Sequence, residues 1–150
     1  AMLRIERGKY RTQLASTKTE LTACQALRMR AFQGKPGRDS DQFDPHCLHV
    51  MIIEADLGRL VGTFRLREFN GGQDIAQSYS AQFYDLSRLE PFIGNIVEMG
   101  RFCVDPAIND PEILRVAWGA ITRYVDDSNV AMLFGCFIHR EQPADQRARC

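Results

Sequence analysis

Strand-length apolar runs alternate along the chain with two segments that carry helix-start signals, and this order limits the folds open to it. Thr17 and Glu20 have the capping-box spacing of a helix start, which predicts a helix over about residues 19–32. Asp110 and Pro111 place an N-cap acid and a first-position proline before a second helix. The order strand, helix, hairpin, strand, helix, strand predicts an α/β or α+β sheet with helices packed on its faces.

Five segments have the length and the residue types of β-strands. They cover residues 10–15, 49–54, 60–69, 96–104 and 130–138. The residues between the second and third segments, 56–59, are typical of a hairpin turn, so we expect those two strands to pair antiparallel. Residues 73–91 are mixed and aromatic, and we expect one short helix near 85–89.

The second predicted helix ends near Asp126 and has one apolar face. That face consists of Ile113, Val116, Ala117, Ala120, Ile121 and Tyr124. Trp118 lies within the same pattern, and we interpret it as a core residue. Cys24, Cys103 and Cys136 also lie in apolar patterns and are interpreted as small core residues.

The composition argues against some classes of function. The chain has 150 residues with 19 basic and 19 acidic side chains, and this zero net charge is unlike that of a nucleic-acid binder held by phosphate contacts. No apolar run reaches the roughly 20 residues that span a bilayer, and the N-terminus has no signal-peptide core. We therefore expect a cytoplasmic protein with reduced cysteines, built as one domain at 1–139 and a polar tail at 140–150.

Four segments are informative because of the order in which they occur. They are Leu-Arg-Met-Arg-Ala-Phe at 27–32, an acidic loop at 39–44, Val-Gly-Thr-Phe-Arg-Leu at 61–66 and Val-Glu-Met-Gly-Arg-Phe-Cys-Val at 97–104. Together they resemble the L-ornithine N-alpha-acyltransferases, which make lyso-ornithine lipid, and more distantly the acyl-homoserine lactone synthases. Residues 79–86, 114–118 and 133–136 fit the ornithine branch better.

The resemblance implies a GNAT-like fold, which is a mixed, mostly antiparallel sheet flanked by helices, with its C-terminal strands missing from this chain. It implies transfer of a 3-hydroxyacyl or related acyl group from the phosphopantetheine thioester of acyl carrier protein to the α-amine of ornithine. Residues 105–110 agree with that donor, because they lack the glycines with which common acetyltransferases hold the pyrophosphate of coenzyme A. Acyl carrier protein and ornithine are the expected partners, and no metal or tightly bound cofactor is expected.

The implied reaction needs a base, because an amino-acid amine is largely protonated at neutral pH. Glu98 lies between apolar residues of a predicted strand, where desolvation would raise the pKa of its carboxyl group, and we interpret it as that base. Glu98 and Arg101 are three residues apart, so a regular strand would point them to opposite faces. Both can line one site only if the strand bulges or if both faces contribute.

The resemblance assigns catalytic roles to Glu98 and Arg101 and binding roles to seven further residues. These seven are Arg28, Phe32, Asp41, Asp44, Arg65, Phe102 and Cys103. The two aspartates would bind the cationic acceptor, and the backbone amides near the last two residues would bind the oxyanion of the tetrahedral intermediate. Arg65 and Arg101 would hold the acceptor carboxylate or a phosphopantetheine phosphate through the guanidinium fork.

Simpler interpretations stand beside these assignments. Arg28 is equally compatible with the solvated face of its helix, and the acids of the 39–44 segment are compatible with an ordinary polar loop. His46, Cys47 and His49 are not matched by a second ligand cluster with zinc spacing, so no metal is assigned to them.

Two other functions stay open from the sequence. One is an enzyme like the acyl-homoserine lactone synthases, whose adenosylmethionine site is usually helped by an aromatic residue in the loop after the first helix, where this chain has Phe43. The other is an inactive truncated fragment that only binds acyl carrier protein or a partner subunit, because residues 140–150 do not fit the family pattern. An unpaired edge on the last strand would favour a homodimer, and peripheral contact with a membrane is left open.

Overall fold

A computed structural model describes residues 3–135, 137–138 and 148–149. Within these residues, six strands form one sheet in which the spatial order of the strands follows the chain. They are β1 (Glu6–Arg7), β2 (Tyr10–Leu14), β3 (Leu48–Glu54), β4 (Arg59–Asn70), β5 (Asn95–Val104) and β6 (Val130–Gly135). Neighbours pair antiparallel from β1 to β5, and β6 pairs parallel to β5. The predicted mixed, mostly antiparallel sheet is therefore confirmed.

The apolar run that we predicted as one strand over 130–138 is divided in the structure. After β6 ends at Gly135, Phe137–Ile138 (β7) pairs antiparallel with Ala148–Arg149 (β8) in a separate two-stranded sheet. Of the predicted polar tail, residues 148–149 are described, and its other residues lie outside the described part of the chain, as does Cys136.

Two α-helices form where the capping signals predict them. They are α1 (Lys18–Gln33) and α2 (Pro111–Asp127). The capping box of α1 is complete, because Thr17 Oγ1 accepts from the Glu20 amide at 3.1 Å and Glu20 Oε1 accepts from the Thr17 amide at 3.1 Å. At the start of α2, the Asp110 carboxylate accepts from the Glu112 amide at 3.0 Å.

Short 3-10 helices make up much of the remaining described chain. They cover Asp44–His46, Gly72–Gln77, Ser80–Gln82 and Ser87–Leu89. The short helix expected near 85–89 thus forms as a single 3-10 turn. Three of the four lie between β4 and β5, so this segment is a series of turns that returns the chain to the sheet.

The two α-helices lie on opposite faces of the sheet, and alternation along β3 shows this. Val50 and Ile52 pack into the cluster that contains the apolar face of α2, whereas Met51 and Ile53 pack with Cys24 of α1. The α2 face of the sheet carries the larger apolar core. The α1 face carries Arg65 and Arg67 of β4 opposite Gly100 and Glu98 of β5, and it is where the candidate site lies.

The interpretation of Trp118 as a core residue is wrong. The six residues predicted for the buried face of α2 are all buried, but Trp118 is 45% exposed and its neighbour one turn back, Leu114, is 48% exposed. Each residue advances about 100° around a helix, so Trp118, one residue after Ala117, is rotated out of the arc that the six buried residues cover. Neither described helix is long and apolar enough to cross a membrane.

Candidate functional site

A β-bulge in β5 determines which side chains share the α1 face. Thr63 pairs with Cys103 and Arg65 pairs with Gly100, so two steps along β4 match three steps along β5. The extra residue lies at Arg101, whose φ of 51° is in the left-handed region that residues other than glycine rarely adopt. The bulge shifts the alternation by one residue, so Arg101 emerges on the same face as Glu98.

Contacts of the neighbouring side chains agree with this change of face. The Arg101 guanidinium carbon lies 5.1 Å from the ring centroid of Phe32 on α1, and its Nε lies 3.5 Å from Asp39 Oδ2. Phe102 lies on the opposite face, where its ring is 6.2 Å from that of Phe64 in the α2 core. The sequence predicted that Glu98 and Arg101 can line one site only if the strand bulges or if both faces contribute. The structure has such a bulge.

Three arginines and three aspartates come together on the α1 face. This arginine–aspartate cluster consists of Arg28, Arg65, Arg101, Asp39, Asp41 and Asp44. Arg28 binds Asp39 at 2.9 Å and Asp44 at 2.8 Å, and one Arg65 nitrogen lies 2.7 Å from both Asp41 and Asp44. The positive and negative charges are equal in number, which allows ions to be buried that would be unstable alone.

The contacts within the cluster favour the charged forms of Asp41, Asp44 and Arg65. Burial raises the pKa of Asp44, but hydrogen bonds and charge from Arg28 and Arg65 outweigh burial and lower this pKa to about 2. The pKa of Asp41 is also lowered, because its bond to Arg65 outweighs burial. Burial lowers the pKa of Arg65, yet the bond to Asp41 outweighs this and raises it. Each group thus stabilises the charge of its neighbours.

Two residues without a predicted role, Gln25 and His49, support this cluster. Gln25 of α1 donates to Asp44 Oδ2 at 3.0 Å, and the buried ring of His49 lies with Nε2 2.9 Å from the Asp44 carbonyl oxygen. A carbonyl only accepts, so this geometry requires the tautomer with hydrogen on Nε2. Burial lowers the pKa of His49, so its ring stays neutral at physiological pH. Helical spacing carried a signal for Gln25, because it lies three residues before Arg28 and therefore on the same side of α1.

The predicted binding residues differ in solvent exposure. Arg28 is 1% exposed, so its interpretation as part of a solvated helix face is wrong. Asp44 is directed at protein guanidinium groups, whereas the side chain of Asp41 remains 21% exposed. Within the described residues, Arg28 Nη2, Arg65 Nη2 and Asp41 Oδ2 are buried atoms with no hydrogen-bond partner. The role of the two aspartates in binding the acceptor stays a prediction.

Glu98 is buried beneath a turn that the sequence analysis did not assign to the site. Its Oε1 accepts from the Tyr79 amide at 3.2 Å, and its Oε2 accepts from the Ser80 amide at 2.8 Å and the Ser80 hydroxyl at 2.5 Å. A carboxylate has about four acceptor positions, so these three bonds leave one on Oε1. No local pattern linked Tyr79 to Glu98, because the two are 19 residues apart.

The parallel pairing of β5 with β6 ends beside the bulge. Its last pair is Met99 with Gly135, where a Cβ on Gly135 would lie 2.2 Å from the Met99 carbonyl oxygen. In the described residues, β5 forms no further strand pairing with β6 in the segment after this pair. Phe102 and Cys103, whose amides are the predicted oxyanion donors, lie in that segment. Burial raises the pKa of the Cys103 thiol to about 12, so this side chain is a neutral core residue.

Comparison with known protein families identifies the family of this chain. The model of the acetyltransferase (GNAT) domain matches residues 21–119, which include most of α1, the acidic loop, β3, β4, β5 and the first half of α2. The chain belongs to the GNAT acetyltransferase-domain family. The GNAT match contains every residue to which the sequence analysis assigned a catalytic or binding role.

Curated relatives within this family carry one name. The chain is 29% identical over 147 residues to an L-ornithine N(alpha)-acyltransferase of Brucella abortus, which covers 86% of the chain and 52% of the relative. It is 30% identical over 142 residues to the L-ornithine N(alpha)-acyltransferase of Rhodobacter capsulatus, which covers 84% of the chain and 55% of the relative. The predicted resemblance is confirmed, and the chain spans about half the length of these relatives.

Solved structures support the fold. The AHL synthase LasI superimposes with a TM-score of 0.66 at 17% identity, covering 86% of the chain and 72% of LasI. FeeM, an N-acyl amino acid synthase from uncultured soil microbes, superimposes with a TM-score of 0.59 at 14% identity, covering 86% of the chain and 71% of FeeM. The GNAT-like fold predicted from the sequence is thus confirmed.

Proposed function

We propose that this GNAT chain, or the longer protein of which it is a part, transfers an acyl group from an acyl carrier protein thioester to the α-amine of ornithine, forming lyso-ornithine lipid. The observation that carries the proposal is the shared face of Glu98 and the arginine–aspartate cluster, which the bulge at Arg101 creates. The names of the curated relatives support an N-acyltransferase with ornithine as acceptor.

Glu98 is the base in this proposal. Its Oε1 retains one acceptor position after the bond from the Tyr79 amide, and this position takes a proton from the ammonium group of the acceptor. The free amine attacks the thioester carbonyl carbon, forming a C–N bond and an oxyanion. The C–S bond then breaks, and the phosphopantetheine thiolate leaves and takes up the second proton of the attacking nitrogen, while Glu98 returns its proton to solvent. Amides of β5 beyond its last pair with β6 stabilise the oxyanion.

The unpartnered atoms of the cluster suit a zwitterionic acceptor. Arg28 and Arg65 each have a buried Nη2 without a hydrogen-bond partner in the described residues, and Asp41 has a buried Oδ2 in the same condition. Guanidinium donors suit an α-carboxylate, and a carboxylate acceptor suits an ammonium group. Both signs occur within one cluster, and ornithine carries both. An acceptor with amine groups alone would leave the guanidinium donors unpartnered.

The start of α2 supports a carrier-protein donor over free coenzyme A. In common acetyltransferases, backbone amides at this helix start hold a pyrophosphate. Here the Asp110 carboxylate accepts from the Glu112 amide at 3.0 Å and from the Tyr10 hydroxyl at 2.7 Å. A pyrophosphate bound at the same amides would be repelled by the Asp110 carboxylate. It would also displace the hydrogen bond that this carboxylate accepts from the Glu112 amide. The phosphopantetheine arm of a carrier protein has no pyrophosphate to place there.

The test is incubation of the chain with 3-hydroxyacyl carrier protein and isotope-labelled ornithine, with the products read by mass spectrometry. We expect the mass of an N-acylornithine and release of the free thiol. Glu98→Gln should reduce kcat about a hundredfold or more, as expected for loss of a general base. Glu90→Gln, in the exposed turn segment before β5, is the matched control and should leave kcat unchanged.

The design separates the alternatives. Labelled adenosylmethionine in place of ornithine tests the acyl-homoserine lactone synthase function, which predicts a labelled product only with that acceptor. If the chain binds acyl carrier protein but acylates neither acceptor, the enzymatic proposal for this chain is wrong. If the Glu98→Gln variant is as active as the wild type, the chain is still an acyltransferase but Glu98 is not its base.

A further inference from the structure

The ring of Tyr79 lies within cation–π distance of two arginines that come from different strands. Its centroid is 5.5 Å from the guanidinium carbon of Arg65 on β4 and 5.7 Å from that of Arg101 on β5. Both distances are within the range of a cation–π interaction. Tyr79 is thus a common neighbour of two cations in the candidate site, and the sequence analysis assigned it no role.

The position of this ring is fixed from several sides. Its backbone amide donates to Glu98, which stands on the same strand as Arg101. The Tyr79 ring forms a T-shaped pair with the ring of Phe43 in the acidic loop at 5.5 Å and 82°, and the ring of Phe83 lies 5.4 Å away. Contacts to Glu98 of β5 and to Phe43 of the acidic loop fix the position of the ring. The ring in turn restrains the two arginines that it contacts.

An aromatic face has a property that a carboxylate lacks in this position. It attracts a guanidinium through its negative quadrupole without accepting the N–H hydrogen bonds that a ligand would use. Arg65 keeps Nη2 without a hydrogen-bond partner in the described residues, although its guanidinium contacts the rings of both Tyr79 and Phe43. The ring therefore contacts both cations without accepting a hydrogen bond from Arg65 Nη2.

We infer that Tyr79 is a positioning residue that sets the separation of the Arg65 and Arg101 guanidinium groups for the carboxylate of an amino-acid acceptor. This inference rests on the proposed function, because the separation of the two guanidinium groups matters only if the acceptor has a carboxylate for them to bind. The tyrosine hydroxyl has no part in it. Phenylalanine at this position should act as tyrosine does, and an aliphatic residue of similar size should not.

The kinetic test compares Tyr79→Leu with the matched control Tyr79→Phe. We expect Tyr79→Leu to raise KM for ornithine about tenfold, the effect of losing one to two cation–π contacts, with kcat within about threefold of wild type. KM for 1,4-diaminobutane, which lacks the carboxylate, should not change, and Tyr79→Phe should match the wild type within about twofold. An unchanged ornithine KM in Tyr79→Leu, or an equal change for both acceptors, would overturn the inference.

A second readout does not depend on activity. In the wild-type chain, nuclear Overhauser effects should connect the Tyr79 ring protons with the Nε–H protons of both Arg65 and Arg101. Tyr79→Leu should remove the ring-current shift of both Nε–H signals, while Arg123 on the outer side of α2 serves as the unmoved reference. Absence of either Overhauser contact overturns the positioning role even if Tyr79→Leu does not fold. If the contacts are present but wild type acylates nothing, the proposed function fails and the geometry stands.

Discussion

Replacing Asp44 with asparagine should destabilise the fold more than any exchange of an exposed acid. Asp44 Oδ1 accepts from Arg28 Nη1 at 2.8 Å and from Arg65 Nη1 at 2.7 Å, while Oδ2 accepts from Gln25. Asparagine keeps one side-chain oxygen, but its NH2 group would face N–H donors of the arginines or of Gln25. The substitution also removes the negative charge. The two arginines are then buried beside one anion fewer.

The structure sets the size of this effect. The pKa of Asp44 falls from 3.8 to about 2, which corresponds to about 2 kcal/mol of stability at neutral pH. Removing one partner of a buried ion pair costs about 3–5 kcal/mol, and the retained oxygen favours the lower end of that range. For a domain of this size, about 3 kcal/mol lowers Tm by roughly 6–12 °C.

The assay is thermal unfolding at pH 7, followed by circular dichroism. Asp127→Asn is the matched control, because Asp127 makes an exposed pair with Arg123 at 3.6 Å that contributes little to stability. We expect a Tm near that of the wild type for this control and a clear decrease for Asp44→Asn. If the two variants unfold within about 2 °C of each other, the buried cluster does not stabilise the fold as argued.

Three further predictions use the same measurements or simple labelling. The pKa of Asp44 is lowered on folding, so its contribution of about 2 kcal/mol should be present above pH 4 and lost between pH 4 and 2 in urea titrations, with no such loss in Asp44→Asn. Gly72→Ala should reduce the free energy of unfolding by about 1–3 kcal/mol, because the new Cβ would lie 1.6 Å from the main-chain oxygen of Leu89; an unchanged urea midpoint would contradict this. Iodoacetamide at pH 8 should leave native Cys103 unlabelled and label it in urea, because burial raises the pKa of its thiol to about 12.

Local signals predicted the parts of the fold that local contacts determine. The capping box at Thr17 and the N-cap at Asp110 form within a few residues of chain, and both helices start where these signals are. Alternation in β3 and β4 and the turn between them predicted their antiparallel pairing. The buried face of α2 also followed from its periodicity, whereas Trp118 was misassigned because it is apolar and adjacent to that face.

The candidate site could be predicted only in part. The matched motifs selected Glu98 and Arg101, but their shared face depends on a residue with positive φ that is not glycine, and no residue type marks such a position. Gly100 was a weak signal, since an isolated glycine within a strand often accompanies a bulge. Tyr79 and Ser80 were missed as partners of Glu98, because contacts across 18 or 19 residues leave no periodic pattern.

A crystal structure of the chain with N-acylornithine bound would show directly whether one bulged strand directs a base and a guanidinium to one acyl-transfer site. We predict the ligand on the α1 face, with its carboxylate within about 3 Å of the Arg65 or Arg101 guanidinium and its amide nitrogen facing Glu98. A ligand bound on the α2 face, or one whose carboxylate meets neither arginine, would contradict the account.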